Sequence, residues 1–308
     1  MPEYLGVDTS NYTTSLAVFD SESFTVFNER KLLPVAPGEL GLRQSDALFH
    51  HTKQLPELFE RLSARTDLSD VSGVAVSDRP RSAEGSYMPC FLAGVSAAQA
   101  FAAAKGLSVK RFSHQQGHIA AVLYSADRLD LSERRFLAFH LSGGTTEAVL
   151  VTPGGGRAFE TAVTAESLDL KAGQAIDRVG VALGLDFPAG AQLDSLAAEC
   201  DRSFKIKPFF RGSDCSLSGV ENKCRSMISA GEDRCVVAKY CLSYISAAVV
   251  GMAERLIKVY GEIPLVFSGG VSENSLLRAE VSSRFDAVFG APGLSADNAA
   301  GIAVLAAM

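Results

Sequence analysis

A chain of 308 residues with 47% hydrophobic and 21% charged residues is long enough for two domains and has globular composition, which excludes wholesale disorder. Its 29 Lys and Arg against 35 Asp and Glu leave a net charge of −6. A broadly basic nucleic-acid binder is thereby excluded, and any RNA contact must come from a local basic patch or a partner. No uninterrupted apolar run reaches the roughly 18 residues of a membrane span, and residues 1–20 lack the basic start and apolar block of a signal peptide, so a cytoplasmic protein without membrane contact is expected. The six cysteines form no CxxC pair and no dense framework, so reduced thiols are expected.

The chain opens with an apolar strand at 4–8, a polar turn at 9–14 and a second strand at 15–20; a third strand is predicted between Ser23 and Lys31. A Pro/Gly loop at 34–41 precedes a helix over 46–64, where Leu48, Leu55, Leu58, Phe59 and Leu62 recur near helical spacing. Val74–Val76 is a short buried strand, 77–87 a loop, and Pro89 opens an Ala-rich helix reaching about Ala104. A strand at 107–109 and a helix from His114 to Tyr124 follow. The second half repeats the opening: strand 136–141, turn 142–146 and strand 147–152, then strand 264–268, closed by Gly269-Gly270, and a helix from about Ser275. This doubled strand–turn–strand predicts two lobes, 1–130 completed by 291–308 and 131–290, with a ligand cleft between them.

His114 and His118 stand at i and i+4, one face of a helix, where a metal can take both imidazoles. A solvated or capped pair has the same spacing. Gln115 occupies the place of the HExxH general base, so metalloprotease chemistry is disfavoured. Ser142-Gly143-Gly144-Thr145 and Ser268-Gly269-Gly270 can each bring backbone N–H groups to a phosphate, although one such tripeptide is as well explained by a plain tight turn. No GxxxxGK[ST] sequence occurs, which disfavours a P-loop enzyme. Asp297 reads equally as a helix N-cap, Asp177 as a surface carboxylate and His140 as a strand-end histidine.

Together these segments resemble the TsaD, or glycoprotease, family of tRNA threonylcarbamoyladenosine transferases, in order and over nearly the whole chain. Val7-Asp8-Thr9-Ser10 looks like the opening phosphate turn, His114 and His118 like the metal histidines, and Ser142-Gly143-Gly144 like the nucleotide loop. Segment 172–177 resembles AGEAFD, 183–190 LGLDYPGG, 215–219 FSFSG and 269–274 GGVSAN, and Asp297-Asn298 matches the last metal ligand. The resemblance implies an α/β, two-lobed actin/hexokinase/Hsp70-like (ASKHA) fold with mixed sheets flanked by helices. It implies catalytic residues Asp8, Thr9 and Ser10, and one divalent ion, iron or zinc, on His114, His118 and Asp297. His140, beside the nucleotide loop, is added here as a fourth ligand. It further implies an adenine nucleotide (threonylcarbamoyl-adenylate, AMP or ATP) against Ser142, Gly143, Gly144, Thr145, Asp177, Gly190, Gly270 and Asn274. The implied activity is metal-dependent threonylcarbamoyl transfer to tRNA adenosine, with sister proteins of that pathway as partners.

Departures fall near the reaction centre. Asn11-Tyr12-Thr13-Thr14 replaces Cys-Asp-Glu-Thr, Thr145 stands where His or Asn is usual, 79–85 replaces a GPG segment, and Glu221 replaces the Lys of SGLKT. Two alternatives therefore stand: a paralogue keeping the metal and nucleotide site but serving another acceptor, and a non-catalytic partner subunit. If tRNA is bound, Arg79, Arg81, Lys205, Lys207 and Arg211 are the local basic residues expected to meet it.

Overall fold

A computed structural model describes residues 2–10, 12–34, 42–154, 157–291 and 298–308. In chain order the strands and helices of the first half are β1 (Glu3–Thr9), β2 (Thr13–Asp20), β3 (Thr25–Leu32), α1 (Gln44–Ser63), β4 (Val71–Arg79), α2 (Phe91–Ala104), β5 (Val109–Ser113) and α3 (His114–Ser125). Those of the second are β6 (Phe136–Leu141), β7 (Thr146–Gly154), β8 (Arg157–Glu166), α4 (Ala172–Ala182), α5 (Gly190–Ala198), β9 (Phe210–Arg211), β10 (Asp214–Cys215), α6 (Ser218–Ser229), α7 (Arg234–Tyr260), β11 (Leu265–Ser268), α8 (Ser275–Ser282), β12 (Ala287–Phe289) and α9 (Asn298–Ala307). The chain divides into two compact units: Met1–Glu133 with Pro153–Thr161 and Gly293–Met308, and Arg134–Thr152 with Ala162–Pro292.

The first unit holds a mixed sheet of order β3-β2-β1-β4-β5, in which β1 runs antiparallel to β2 and parallel to β4. Its central strand is buried on both faces because both are covered. Side chains alternate along a strand, so Leu5 and Val7 enter one core with Leu16, Val18, Leu55, Leu58 and Val76, beneath α1 and α2. Gly6 and Asp8 face the other way, where Ala17 and Phe19 pack against Ala299, Ala300, Ala303 and Val304 of α9. That helix lies against backbone on two sides. A Cβ on Gly6 would collide with Ala299 O and Ala303 N, and a Cβ on Gly301 with Gly117 O of α3.

The second unit repeats the order, β12-β11-β6-β7-β8, with β6 antiparallel to β7 and parallel to β11. Its core joins Leu137, Phe139 and Phe267 of the sheet to the buried faces of α4, α6 and α7. Helix α7 corrects one exclusion: although interrupted by polar residues, it is long and apolar enough to cross a membrane, with mean hydropathy 1.6 over its most apolar 18 residues. Its buried residues, from Val237 to Leu256, are spent on the core of its own unit.

Two further expectations shift. The strand expected at 107–109 is β5, Val109–Ser113, and residues 77–79, expected in a loop, extend β4. The reason is tertiary: parallel neighbours β1 and β5 flank β4, and β5 pairs with it out to Arg79. The Pro/Gly loop expected at 34–41 lies mostly outside the described residues.

Because neither backbone contact of α9 can yield to a side-chain rotation, Gly6→Ala and Gly301→Ala should each lower unfolding stability by about 1–3 kcal/mol. Denaturant midpoints check this; midpoints equal to wild type would show that α9 does not lie against those glycines.

Candidate active site

Alternation along β1 separates the expected catalytic residues. Thr9, fully buried, faces α2, where its hydroxyl donates to Cys90 O (3.1 Å) and accepts from Gly94 N (3.1 Å). Asp8 faces α3 instead, accepting from His114 Nδ1 at 2.9 Å and from the Ser77 hydroxyl. Helix α3 begins at that point because Ser113 and Gln116 cap it reciprocally: Gln116 N donates to Ser113 Oγ (3.2 Å) and Ser113 N to Gln116 Oε1 (2.8 Å). His114 is therefore its first residue and His118 stands one turn on, the ring centroids 4.7 Å apart.

Asp8 is 1% exposed, and burial alone would raise its carboxyl. The neighbouring His114 ring and the hydrogen bonds from His114 and Ser77 outweigh burial and hold the carboxyl below the usual carboxylate range. With Asp8 ionised and accepting at Nδ1, the His114 proton belongs on Nδ1 and the lone pair on Nε2, the arrangement by which a carboxylate orients a metal-binding imidazole. The second carboxylate oxygen, Oδ2, is buried and makes no hydrogen bond among the described residues. A divalent cation beside two imidazoles would satisfy it, so the donor set fits the expected metal. Among the described residues no three His, Cys, Asp or Glu side chains cluster closely enough to hold an ion by themselves. Asp297, the further expected ligand, lies outside the described residues.

The turn between β1 and β2 is clamped from α1. His51 Nε2 meets Ser10 O at 2.7 Å and Nδ1 meets Thr14 Oγ1 at 2.8 Å, while Thr14 donates to Gln54 Oε1 at 2.6 Å. Burial presses His51 toward its neutral form, partly offset by the Ser10 carbonyl and by Asp8. His51 falls on the Ala47–Leu55–Leu58–Leu62 stripe of α1, and a histidine on an apolar face was the signal available for it. Tyr12 lies in this turn and Thr13 opens β2.

In the second unit, Gly143 and Gly144 are exposed and Cβ atoms on them would meet nothing within 4 Å, so their backbone is open to a ligand. The loop closes on itself through Ser142 N to Thr145 O (2.8 Å) and Thr145 N to Ser142 Oγ (3.1 Å). It is backed by α4: Gly173 N donates to Ser142 O (3.1 Å), and a Cβ on Gly173 would sit 2.6 Å from Gly143 N. Along the same helix Asp177 accepts from Ala189 N (2.8 Å), beside Gly190 at the start of α5. Gly270 is exposed at the end of β11, after Gly269, which has a φ of +86° and where a Cβ would collide with Leu141 O. Asn274 is spent on the fold: its Oδ1 caps α8 at Leu277 N (3.0 Å) and its Nδ2 donates to Asp194 of α5 (2.7 Å). His140 belongs to this unit, where its Nδ1 meets Ser268 Oγ at 2.9 Å; since Ser268 donates to Phe139 O, the His140 proton sits on Nδ1.

Two carboxylates escaped sequence reasoning. Asp194 joins α5 to α8, accepting from Asn274 and from Ser275 N and Oγ. Asp169 accepts from Ser216 Oγ, Leu217 N, Ser218 N and Ser218 Oγ, tying the strand end before α4 to the start of α6. Burial opposes its ionisation, but those bonds bring its pKa to about 2. The thiols take no part: all six cysteines are free, and burial pushes Cys90 and Cys215 up to about 11, so neither is a thiolate at neutral pH.

The pKa of Asp169 lies below its unpaired value of 3.8. Its stabilisation is therefore present above about pH 4 and is lost as pH falls through about 2. The thermal-midpoint difference between wild type and Asp169→Asn should stay constant from about pH 7 to 5 and close toward about pH 2. A difference unchanged at the acid end would remove the carboxylate from the latch.

Comparison with known proteins agrees with this layout. The model of the family described as TsaD, tRNA N6-adenosine threonylcarbamoyltransferase, matches residues 39–304. A tRNA N6-adenosine threonylcarbamoyltransferase of Streptococcus equi subsp. zooepidemicus is 29% identical, covering 99% of this chain and 90% of that protein. Among solved structures, full-length HypF in a phosphate- and nucleotide-bound form aligns with a TM-score of 0.61 at 14% identity, over 99% of this chain and 55% of HypF. Component A of the Acidaminococcus fermentans (R)-2-hydroxyglutaryl-CoA dehydratase aligns at 0.58 and 13% identity, over 99% of this chain and 98% of its own. These likenesses show the ASKHA fold expected from the sequence. The match over 39–304 shows that the chain belongs to the TsaD family of tRNA N6-adenosine threonylcarbamoyltransferases.

Proposed function

We propose that this protein transfers a threonylcarbamoyl group from threonylcarbamoyl-adenylate to an adenosine of tRNA. The observation that carries the reading is the Asp8–His114–His118 arrangement in a chain matched over 39–304 by this family's model. The adenosine amine attacks the donor carbonyl, the bond from that carbon to the phosphate oxygen breaks, and AMP leaves with the electron pair. Such a reaction needs no thiol nucleophile, in keeping with the high pKa of Cys90.

The roles of the chain's own residues follow. Exposed backbone at Gly143 and Gly144 receives the adenylate phosphate, with α4 holding the loop still. Asp177 and Gly190 lie at the junction of α4 and α5 and complete the nucleotide contacts. His114, His118 and Asp297 hold a divalent ion, iron or zinc, and Asp8 orients the His114 ring. When bound, that ion supplies polarisation of a carbonyl oxygen. Thr9 keeps the end of β1 on α2, and Ser10 shapes the turn that His51 clamps.

A second reading, the same donor with another acceptor, is favoured by Glu221. Where the family carries a lysine, this carboxylate accepts from Arg178 (3.0 Å) and Arg225 (3.0 Å), so an acceptor engaged by two arginines stands in place of a cationic donor.

Incubation with threonylcarbamoyl-adenylate and unmodified tRNA, followed by nucleoside mass spectrometry, tests the main reading. Threonylcarbamoyladenosine should appear in the tRNA. AMP release without modified nucleoside would favour the other acceptor, and neither product would overturn both. Chelator competition tests the metal site. His114→Ala should abolish tight zinc or iron binding, and Asp8→Asn should weaken it about 10–100-fold. Unchanged affinity in both variants would remove the pair from the site. In the same assay, unchanged binding by His140→Leu would remove that residue from the ligand set.

A further inference from the structure

We propose that the extended segment 204–211 of the second unit, with the groove beside it, is the surface that grips the phosphate backbone of the RNA substrate. The inference rests on the tRNA reading above. Between α5 and β9, residues 201–209 belong to no helix or strand, yet the side chains from 204 onward alternate as in a strand. Phe204, Ile206, Pro208 and Phe210 are half-buried, whereas Lys205, Lys207, Phe209 and Arg211 are exposed. The inward side anchors the segment. The Phe204 ring meets Tyr240 edge-on at 5.2 Å, and Phe210 lies under the Arg255 guanidinium at 3.6 Å and against Gly251, where a Cβ would come 2.5 Å from the ring.

The outward side is therefore three cations and one 64% exposed phenylalanine on a single edge, spaced by two residues, or roughly 7 Å. An exposed aromatic between cations offers a base a stacking platform and its phosphates a counter-charge. The segment borders a groove of about 1260 Å³ whose far wall adds Lys239, Arg255 and Arg284. Ser246, 2% exposed, lines that groove, and its buried hydroxyl has no hydrogen-bond partner among the described residues. Ion pairing sorts the cations. Arg202 is engaged by Glu232 and Arg284 by Glu254 and Glu280, but Lys205, Lys207, Arg211 and Lys239 make no ion pair among the described residues. By contrast Arg79, one of the two first-unit arginines expected to meet RNA, is paired with Asp78 at 3.0 Å. On a chain of net charge −6, an unneutralised basic edge is the local patch that RNA binding requires.

The test is binding of unmodified tRNA by anisotropy across a salt series. It compares wild type, Lys205→Ala/Lys207→Ala/Arg211→Ala, Phe209→Ala, and a control with the same charge loss elsewhere, Arg30→Ala/Lys53→Ala/Lys258→Ala. Adenine-nucleotide affinity and thermal midpoints report folding. The triple variant should bind tRNA at least about tenfold more weakly at 0.1 M salt, with the log–log salt slope reduced by about three. Phe209→Ala should bind at least about fivefold more weakly with the slope unchanged. In turnover both should raise KM for tRNA and spare kcat. A triple variant that binds tRNA as the control does overturns the stripe while leaving the tRNA reading intact. A wild type that binds no tRNA overturns both. Loss of adsorption to vesicles of phosphatidylcholine and phosphatidylserine, with tRNA binding unchanged, overturns the RNA assignment in favour of a membrane surface.

Discussion

The first unit depends on one steric constraint: α9 must lie directly on backbone, with β1 on one side and α3 on the other. Gly6 and Gly301 allow this, and the alanines around Gly301 keep the helix thin enough to fit. Close contact of this kind cannot be recovered by rotating side chains, so it fixes the distance of α3 from the central strand. That distance puts His114 within hydrogen-bond reach of Asp8 and leaves Asp8 buried. A looser α9 would admit water between strand and helix, weaken the Asp8–His114 bond and release the ring that the bond orients.

The second unit solves the same problem with polar latches. Three helices begin there, and their first turns carry unpaired N–H groups that need acceptors. Asp169 supplies them at the start of α6, Asp177 at the start of α5, and Asn274 with Asp194 at the start of α8. Two of these latch residues, Asp177 and Asn274, are also among those named for the nucleotide. Asn274 shows the consequence, since a side chain read as a ligand contact is occupied as a cap. With its neighbours fixed by such bonds, the loop at Ser142–Thr145 can leave the backbone of two glycines bare without collapsing. The fold therefore favours chemistry by positioning, and its buried thiols are kept protonated and out of the reaction.

Much of this was legible in the sequence by itself. Apolar strands at 4–8 and 136–141, each followed by a polar turn and a return strand, announced the duplication, and both sheets have the same strand order. The i, i+4 histidines declared one face of α3, and the paired glycines declared open backbone, because those properties are local. The segments that resemble the TsaD family are local in the same sense.

Tertiary structure alone decided the rest. It sent Asp8 and Thr9 to opposite faces of one strand, so that neighbours in sequence have unrelated partners. It turned the apolar helix α7 inward to a core, where composition alone would equally allow a bilayer. It gave Asp169 and Asp194 their donors from residues up to 81 positions away, and left Lys205, Lys207 and Arg211 unneutralised while pairing Arg79. The physical reason is common to all four. Periodicity and turn chemistry act over a few residues, but burial, ion pairing and capping depend on which distant segment closes over a side chain, and only the packed chain determines that.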